Sequence, residues 1–238
     1  MQTSSDLRHI PIIVLCGGQG TRLQSVISDK PKVLAPLGKN TFLDTLIDLL
    51  HASGFQRIIL SVGYLKEQVR EHCTKHKYEV LFSEEDEPLG TGGALKAARL
   101  LTSHDNEFFV MNGDTVCRPD FRAIYDFHRK MGGLMSMMIA PAYEGDGGDV
   151  SLLDHTSRIV SWRKKMPSDA GKATFVNAGV YLMDKETDRF FPNRHAFSLE
   201  RDVFPSLLVE PCYGYPIKEP LIDIGTPERY TLAQASFS

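Results

Sequence analysis

The chain has 238 residues, 42% of them hydrophobic, enough to bury a sizeable core in one large α/β domain. Its 27 basic and 30 acidic residues leave a net charge of −3, which argues against a broad nucleic-acid-binding surface but not against a local pocket for one small anion. No apolar run reaches the length of a membrane span, and the four cysteines are far apart with no C-x-x-C pair. A membrane anchor, a disulfide framework and a zinc ribbon are therefore not expected, and the cytoplasm is the expected compartment.

Residues 1–9 are polar and read as a flexible tail, followed by a single domain over 10–238. The β-branched run IPIIVLC (10–16) predicts a buried strand that leaves directly into Gly17, Gly18 and Gly20. TFLDTLIDLLHASGF predicts a helix: Thr41 can cap it, Asp44 completes a capping box, Phe42, Leu43, Leu46, Ile47, Leu49 and Leu50 recur at helical spacing, and Gly54 ends it. A strand over 57–64, a helix over 65–76, a strand over 79–82, a helix in GGALKAARLL and a strand over 108–114 follow. This alternation predicts a mainly parallel sheet covered on both faces, with ligands at the carboxyl ends of its strands. Both the first glycine stretch and Asn112-Gly113-Asp114 stand at such ends.

The second half is less regular. Strands are expected over 134–142, 149–154, 158–162, 175–184 and 213–218, several of them antiparallel, with helices over 185–191, 199–209 and 227–236. The segments PAYEGDGGD and KKMPSDAGKAT read as loops.

The stretch VLCGGQGTRL is not a dinucleotide fingerprint, because Leu23 stands where a third glycine is needed, nor a Walker A loop, which requires Gly-Lys-Ser/Thr. Two readings of the glycines stand: a plain strand-to-helix turn, or a bare backbone that a ligand touches. Arg22 and the later DKPK of Asp29 to Lys32 favour the second. Pro31 stiffens the chain before Lys32, so two cations can serve a backbone that offers N–H donors to phosphate oxygens.

G-G-x-G-T-R-L, a spacer and P-K resemble the signature of the sugar-1-phosphate nucleotidyltransferases, also called NDP-sugar pyrophosphorylases. The resemblance extends through EPLGTGGA, NGD, FVNAGVY and LIDIGTPERY, over roughly residues 10 to 232. In order and spacing these blocks look most like the guanylyltransferases of D-glycero-α-D-manno-heptose 1-phosphate, and the mannose-1-phosphate guanylyltransferases share much of the pattern.

The resemblance implies a three-layer Rossmann-like fold with a mixed, mainly parallel sheet. Its nucleotide-binding half would be 10–120 and its sugar-phosphate half 121–238. It implies that a sugar 1-phosphate is joined to the α-phosphate of a nucleoside triphosphate with release of pyrophosphate, in a Mg²⁺-dependent reaction. Carried over, Arg22 and Lys32 are catalytic. Leu15, Gly17, Gly18, Gly20, Thr21, Glu85, Pro88, Gly90, Thr91, Asn112 and Gly113 bind the nucleotide. Gly148, Lys165, Asn177, Ala178 and Gly179 bind the sugar phosphate, and Asp114 and Asp223 hold the metal. The product would feed capsule, lipopolysaccharide or S-layer glycan synthesis.

Glu85 stands where the base is read, and a carboxylate accepts from guanine N1–H and N2–H₂ together, which favours GTP. Its rival reading is a solvated acidic turn, since residues 84–87 are all acidic. Two departures touch the acceptor pocket: Lys164 in SWRKK replaces the usual glutamate, and EGDGGD replaces a Tyr-Gly loop. Arg163 and Lys164 suit a more anionic acceptor or face water.

His72 and His76, at i and i+4 beside Cys73, lack a marked third ligand and read as a solvated helix face rather than a zinc site. Trp162 reads equally as a sugar platform or a core aromatic, and the methionines of GGLMSMMIA as strand packing. A rival of another class is a nucleotide-sugar sensor that binds without turnover. A homodimer is compatible with the sequence, which marks no interface.

Overall fold

The computed structural model describes residues 6–20, 23, 26, 27, 29–116, 118–142, 149–164, 166–169, 173–217, 222–224 and 226–236; for 116, 149–152, 167, 222, 223 and 236 it describes the backbone alone. The first expected strand forms as β1 (Ile12–Leu15), and a two-residue pair, β2 (Pro36–Leu37) and β3 (Asn40–Thr41), leads into α1 (Phe42–Ser53). Next come β4 (Ile58–Val62), α2 (Lys66–His76), β5 (Leu81–Glu84), α3 (Gly90–Ala98) and β6 (Glu107–Asn112). β7 (Thr115–Val116), α4 (Phe121–Met131), β8 (Met135–Pro141), β9 (Asp149–Leu153), β10 (Ile159–Lys164) and β11 (Phe175–Asp184) follow. The chain ends in α5 (Phe204–Leu207), β12 (Cys212–Pro216), β13 (Ile222–Asp223) and α6 (Pro227–Ser236).

Nine strands form one sheet. Its main path is β10-β9-β11-β6-β1-β4-β5, with β8 on β11 and β12 on β8. β1 lies parallel between β4 and β6, with Ile12 opposite both Ile58 and Phe109, and β5 extends the parallel run beyond β4. β11 runs antiparallel to β6, β8 and β9, so the expected mixed, mainly parallel sheet is what forms.

Period-2 alternation sends neighbouring side chains of β1 to opposite layers. Ile12 and Val14 pack with Leu43 and Ile47 of α1, Val69 of α2, Phe121 of α4 and Tyr230 of α6. Ile13 packs on the other face with Leu95 of α3 and Phe204 of α5. Helices therefore cover both faces.

Local signals hold where they are strong. Thr41 accepts from the Asp44 amide, Asp44 accepts from the Thr41 amide, and Gly54 closes α1 in the left-handed region at φ 102°. Met135, Met137 and Met138 are buried on β8, and Trp162 is a core aromatic, edge-on to Phe204 at 5.2 Å.

Other elements differ from expectation. Leu7 is buried and residues 7–9 form a 3₁₀ turn, so this part of the expected tail is packed. The strand expected over 79–82 runs over 81–84, because the Tyr78 amide still donates to Cys73 at the end of α2. The segment 185–191 makes a 3₁₀ turn over 185–190. The helix expected over 199–209 becomes a π turn, Leu199–Val203, and then α5, where Pro205 interrupts the pattern of backbone donors. The sequence reading assigns no element to 121–131, which is α4, capped by Asp120 and closed by Gly132. Among the described residues, no helix is long and apolar enough to cross a membrane.

Candidate active site

A cleft of about 360 Å³ opens at the carboxyl ends of β1, β5 and β6. Its walls are Leu15 to Gly20, Lys32, Val33, Glu85, Pro88, Gly90, Thr91, Ala94 and Asn112 to Asp114. Of the residues that the resemblance assigns to the nucleotide, Leu15, Gly17, Gly18, Gly20, Glu85, Pro88, Gly90, Thr91, Asn112 and Gly113 all line it, together with Lys32 and Asp114. Thr21, Arg22, Gly148 and Lys165 lie outside the described residues, as do residues 144–148 of EGDGGD.

The glycine loop follows from its neighbours. β1 ends when the Cys16 amide donates to Ser61 at 2.8 Å, and Gly20 turns the chain at φ 59° with Lys32 packed against it. A side chain there would be strained. Among the described residues, no carbonyl takes the amides of Gly17, Gly18 or Gly20, and all three residues line the cleft. The start of α3 differs: the amides of Gly92 and Gly93 both donate to the Phe197 carbonyl, at 2.9 and 3.2 Å, so protein rather than ligand satisfies that helix end.

Lys32 opens a 3₁₀ turn behind Pro31, whose φ is −59°. Its Nζ donates to Asp114 Oδ2 at 2.8 Å, and the lysine side chain is 12% exposed against 42% for the aspartate. Gly113 lets Asp114 reach this point, because a Cβ there would stand 2.8 Å from both Cys16 Sγ and the Leu15 carbonyl. Only the backbone of Asp223 is described. β13 pairs antiparallel with β7, with Asp223 opposite Thr115, and the Ile224 amide donates to the Asp114 carbonyl at 2.9 Å.

Glu84, Asp86 and Glu87 are exposed, as in a solvated acidic turn, but Glu85 is half-buried on the cleft wall. The Leu89 amide donates to its Oε2 at 3.1 Å, and its Oε1 fills the space that side chains at Gly17 and Gly63 would need. Burial pushes the carboxyl up, and the Leu89 amide only partly offsets this.

Asn112 carries a buried Oδ1 with no hydrogen-bond partner among the described residues. Buried acceptors are rarely left so. On a cleft wall, an orphan acceptor suits a donor on a ligand.

Asn177, Ala178 and Gly179 do not line this cleft; they stand just behind it. Asn177 accepts from the Gly179 amide at 2.7 Å and donates to the Tyr181 hydroxyl. Gly179, at φ 75°, approaches Asn112 and Thr115 so closely that a Cβ would stand 3.0 Å from Thr115 Oγ1. Ala178 is fully buried. Asn177 thus finds protein partners, while Gly179 joins β11 to the cleft wall.

Glu200 was not among the sequence candidates. It accepts from Thr91 at 2.8 Å and from Ser198 at 2.7 Å, and so fixes Thr91 on the cleft wall. Arg163, considered for the acceptor pocket, instead makes two 2.7 Å bonds to the buried Asp169. His72 turns inward from the expected solvated face, with Nε2 2.7 Å from Asp44 Oδ1, while His76 stays exposed on that face with its Nδ1 3.9 Å from the same oxygen.

Comparison with known proteins agrees with this geometry. The family described as Nucleotidyl transferase matches residues 11–236. The chain is 32% identical over 225 residues to the D-glycero-α-D-manno-heptose 1-phosphate guanylyltransferase of Aneurinibacillus thermoaerophilus, spanning 93% of this chain and 96% of that one. It is 30% identical over 225 residues to the mannose-1-phosphate guanyltransferase of Saccharomyces cerevisiae, spanning 92% of this chain and 62% of that one. The crystal structure of HddC from Yersinia pseudotuberculosis complexed with GMP-PN superposes with a TM-score of 0.82 at 30% identity, over 96% of this chain and all of that one. The chain belongs to the nucleotidyl transferase family.

Proposed function

We propose that the chain transfers GMP from GTP to D-glycero-α-D-manno-heptose 1-phosphate and releases pyrophosphate. The observation that carries this reading is a single cleft holding a glycine backbone, the Lys32–Asp114 pair and a half-buried carboxylate, Glu85, on its wall. The relatives' guanylyl specificity and heptose acceptor support it.

The acceptor phosphate is already anionic at neutral pH, so the reaction needs no general base. One of its oxygens forms a bond to the α-phosphorus of GTP, and the bond to the β-phosphate bridge breaks, with the electron pair leaving on pyrophosphate. Catalysis then rests on holding two repelling anions in line and on neutralising the charge that builds. In this reading the amides of Gly17, Gly18 and Gly20 bind phosphate oxygens. Lys32 neutralises the transferring phosphoryl group, and Arg22 grips the departing pyrophosphate.

Glu85 reads guanine by accepting from N1–H and N2–H₂, and it opposes the acceptor-rich edges of uracil and cytosine. Asn112 Oδ1 accepts from a hydroxyl or amide of the nucleotide. Lys165, Gly148 and the half-buried Asn177 serve the sugar phosphate, and the buried Ala178 and Gly179 support the wall behind it.

Nucleotidyl transferases generally use divalent metal ions, and Mg²⁺ suits this cleft because its candidate ligands are hard carboxylate oxygens on Asp114 and Asp223. When bound, the ion supplies positive charge to the phosphate oxygens. Lys32 holds Asp114 in position at the cleft. The protein acts in the cytoplasm, in nucleotide-sugar synthesis for surface glycans.

The test is pyrophosphate release by the purified chain with GTP and Mg²⁺ against a panel of sugar 1-phosphates. Preferential turnover of the manno-heptose 1-phosphate is expected. Preference for mannose 1-phosphate would move the assignment to the second group of relatives, and binding without turnover on the whole panel would make the chain a sensor.

A further inference from the structure

A second cluster of chemistry-bearing side chains lies outside the cleft. His72 and His76 stand one turn apart on α2, and Asp44 faces them from the first turn of α1. The three ligand atoms all lie within 4.8 Å of one another, and none of the three residues lines the cleft.

Two features set this group apart from an ordinary buried hydrogen bond. First, both imidazoles aim at one oxygen: His72 Nε2 and His76 Nδ1 lie 2.7 and 3.9 Å from Asp44 Oδ1, and the rings stack 4.3 Å apart at 19°. His72 takes the carboxylate, which leaves His76 Nδ1 beyond hydrogen-bond reach. Second, the carboxylate is held rigidly by groups that are not ligands. The Thr41 amide donates to Oδ2 and the Tyr78 hydroxyl to Oδ1, at 2.8 and 2.9 Å. Orienting contacts of this kind surround carboxylates that ligate metals.

We infer that Asp44, His72 and His76 form a second divalent-metal site, selective for the zinc class of ion and separate from the catalytic Mg²⁺. Two imidazole nitrogens, which are borderline donors, together with one carboxylate oxygen suit Zn²⁺ or Co²⁺ and not Mg²⁺. Around such an ion, ligand atoms stand about 3.4 Å apart, from bonds of about 2.1 Å. His72 must then open slightly from Asp44 and His76 close slightly; its side chain is 39% exposed and has room to turn. The ion takes the place of the hydrogen between His72 and Asp44, and any proton lost goes to water. Water completes the shell.

The site's position gives it a mechanical role. Near its start, α2 holds the signature loop through Gln68 Nε2, which donates to the Asp29 carbonyl at 3.1 Å. At the start of α1, the Phe42 amide ties back to the Ala35 carbonyl, just past Lys32, at 2.9 Å. An ion bridging α1 and α2 would lock together the two helices that flank the Lys32 segment.

The experiment uses chelator-stripped full-length chain without nucleotide, in wild-type, His76→Ala and Asp114→Asn forms, titrated with Zn²⁺ or Co²⁺. Zn²⁺ is expected to raise the thermal midpoint of wild type and Asp114→Asn, with binding at least about tenfold weaker in His76→Ala. Co²⁺ is expected to give intense tetrahedral visible bands in the first two and not in the third. Excess Mg²⁺ is expected to reproduce neither effect. Equal Zn²⁺ shifts in wild type and His76→Ala, or a shift lost in Asp114→Asn and kept in His76→Ala, would overturn the site. His76 is not a core residue, so a midpoint equal to wild type in chelator verifies that the variant folds.

Discussion

Lys32 Nζ donates to Asp114 Oδ2 at 2.8 Å, joining residues 82 positions apart across the mouth of the cleft. Asp114 thus aims Lys32 at the cleft that the triphosphate would fill. Lys32→Met is expected to lower turnover by about 10²–10³-fold, the usual effect of removing one group that stabilises transition-state charge. Asp114 is 42% exposed and water can solvate it, so the thermal midpoint should barely move. Steady-state kinetics beside a melting curve checks both halves. If the two residues act as one unit, the Lys32→Met/Asp114→Asn double variant loses far less than the product of the single losses.

Glu85 Oε1 occupies the volume over Gly17 and Gly63. Gly63→Ala would place a Cβ 2.5 Å from that oxygen and 2.7 Å from Glu85 Cγ. The far end of a flexible side chain yields first, so the expected outcome is a folded protein whose preference for GTP over UTP has fallen. The ratio of kcat/KM values for the two nucleotides measures it, and Glu85→Gln should shift it the same way.

Glu85 also sets a pH limit. Its carboxyl is raised by burial above the ordinary 4.5, so as pH falls it takes up a proton earlier than an exposed glutamate would. The protonated form loses the charge-assisted pair with guanine, and KM for GTP should rise on the acid side above that ordinary value. Glu85→Gln should lack this limb. The stability sign runs the other way: a carboxyl with a raised folded-state pKa favours the fold at low pH and loses that contribution as pH climbs through it. Glu85→Gln is therefore expected to be neutral or slightly stabilising at pH 7.

How much of this was readable in advance depends on the reach of each signal. Thr41, Asp44 and Gly54 mark α1 because capping is decided within a turn, and Gly17 to Gly20 with Lys32 mark the cleft because loop and cation lie close in the chain. α4 carries similar marks, with Asp120 as cap, buried Phe121, Ile124 and His128 at helical spacing, and Gly132 as stop. Its signal is as local as that of α1, and no tertiary override hides it. The partners of other residues could not be seen at all. Asp44 lies 28 positions from His72, and Glu200 lies 109 from Thr91, so only the packed fold turns each pair into a contact.

Phe55 meets Phe109 and Phe121 edge-to-face, at 5.3 and 4.9 Å, beneath α4 and away from the cleft. All three rings are at most 1% exposed. Phe55→Ala removes a fully buried ring and two quadrupole contacts at once, a loss of about 3–5 kcal/mol. Urea denaturation should register it as a lower midpoint at unchanged m-value. Below its melting point, the variant should keep wild-type kcat/KM.

Arg163 makes a two-pronged bond to Asp169, whose side chain is fully buried. Asp169 in turn accepts from the Met166 amide at 2.8 Å, so the pair folds the segment that follows β10. An arginine committed in this way is a poor candidate for gripping the acceptor, and a second charge on the sugar would have to be met elsewhere. Removing the guanidinium strands a buried carboxylate, which is costly. Arg163→Ala should therefore lower the thermal midpoint, while Arg163→Lys, able to supply one of the two bonds, should lower it less. If Arg163 instead served the acceptor, the alanine variant would keep its midpoint and raise KM for the sugar 1-phosphate alone. Melting curves and acceptor kinetics on the same preparations separate the two outcomes.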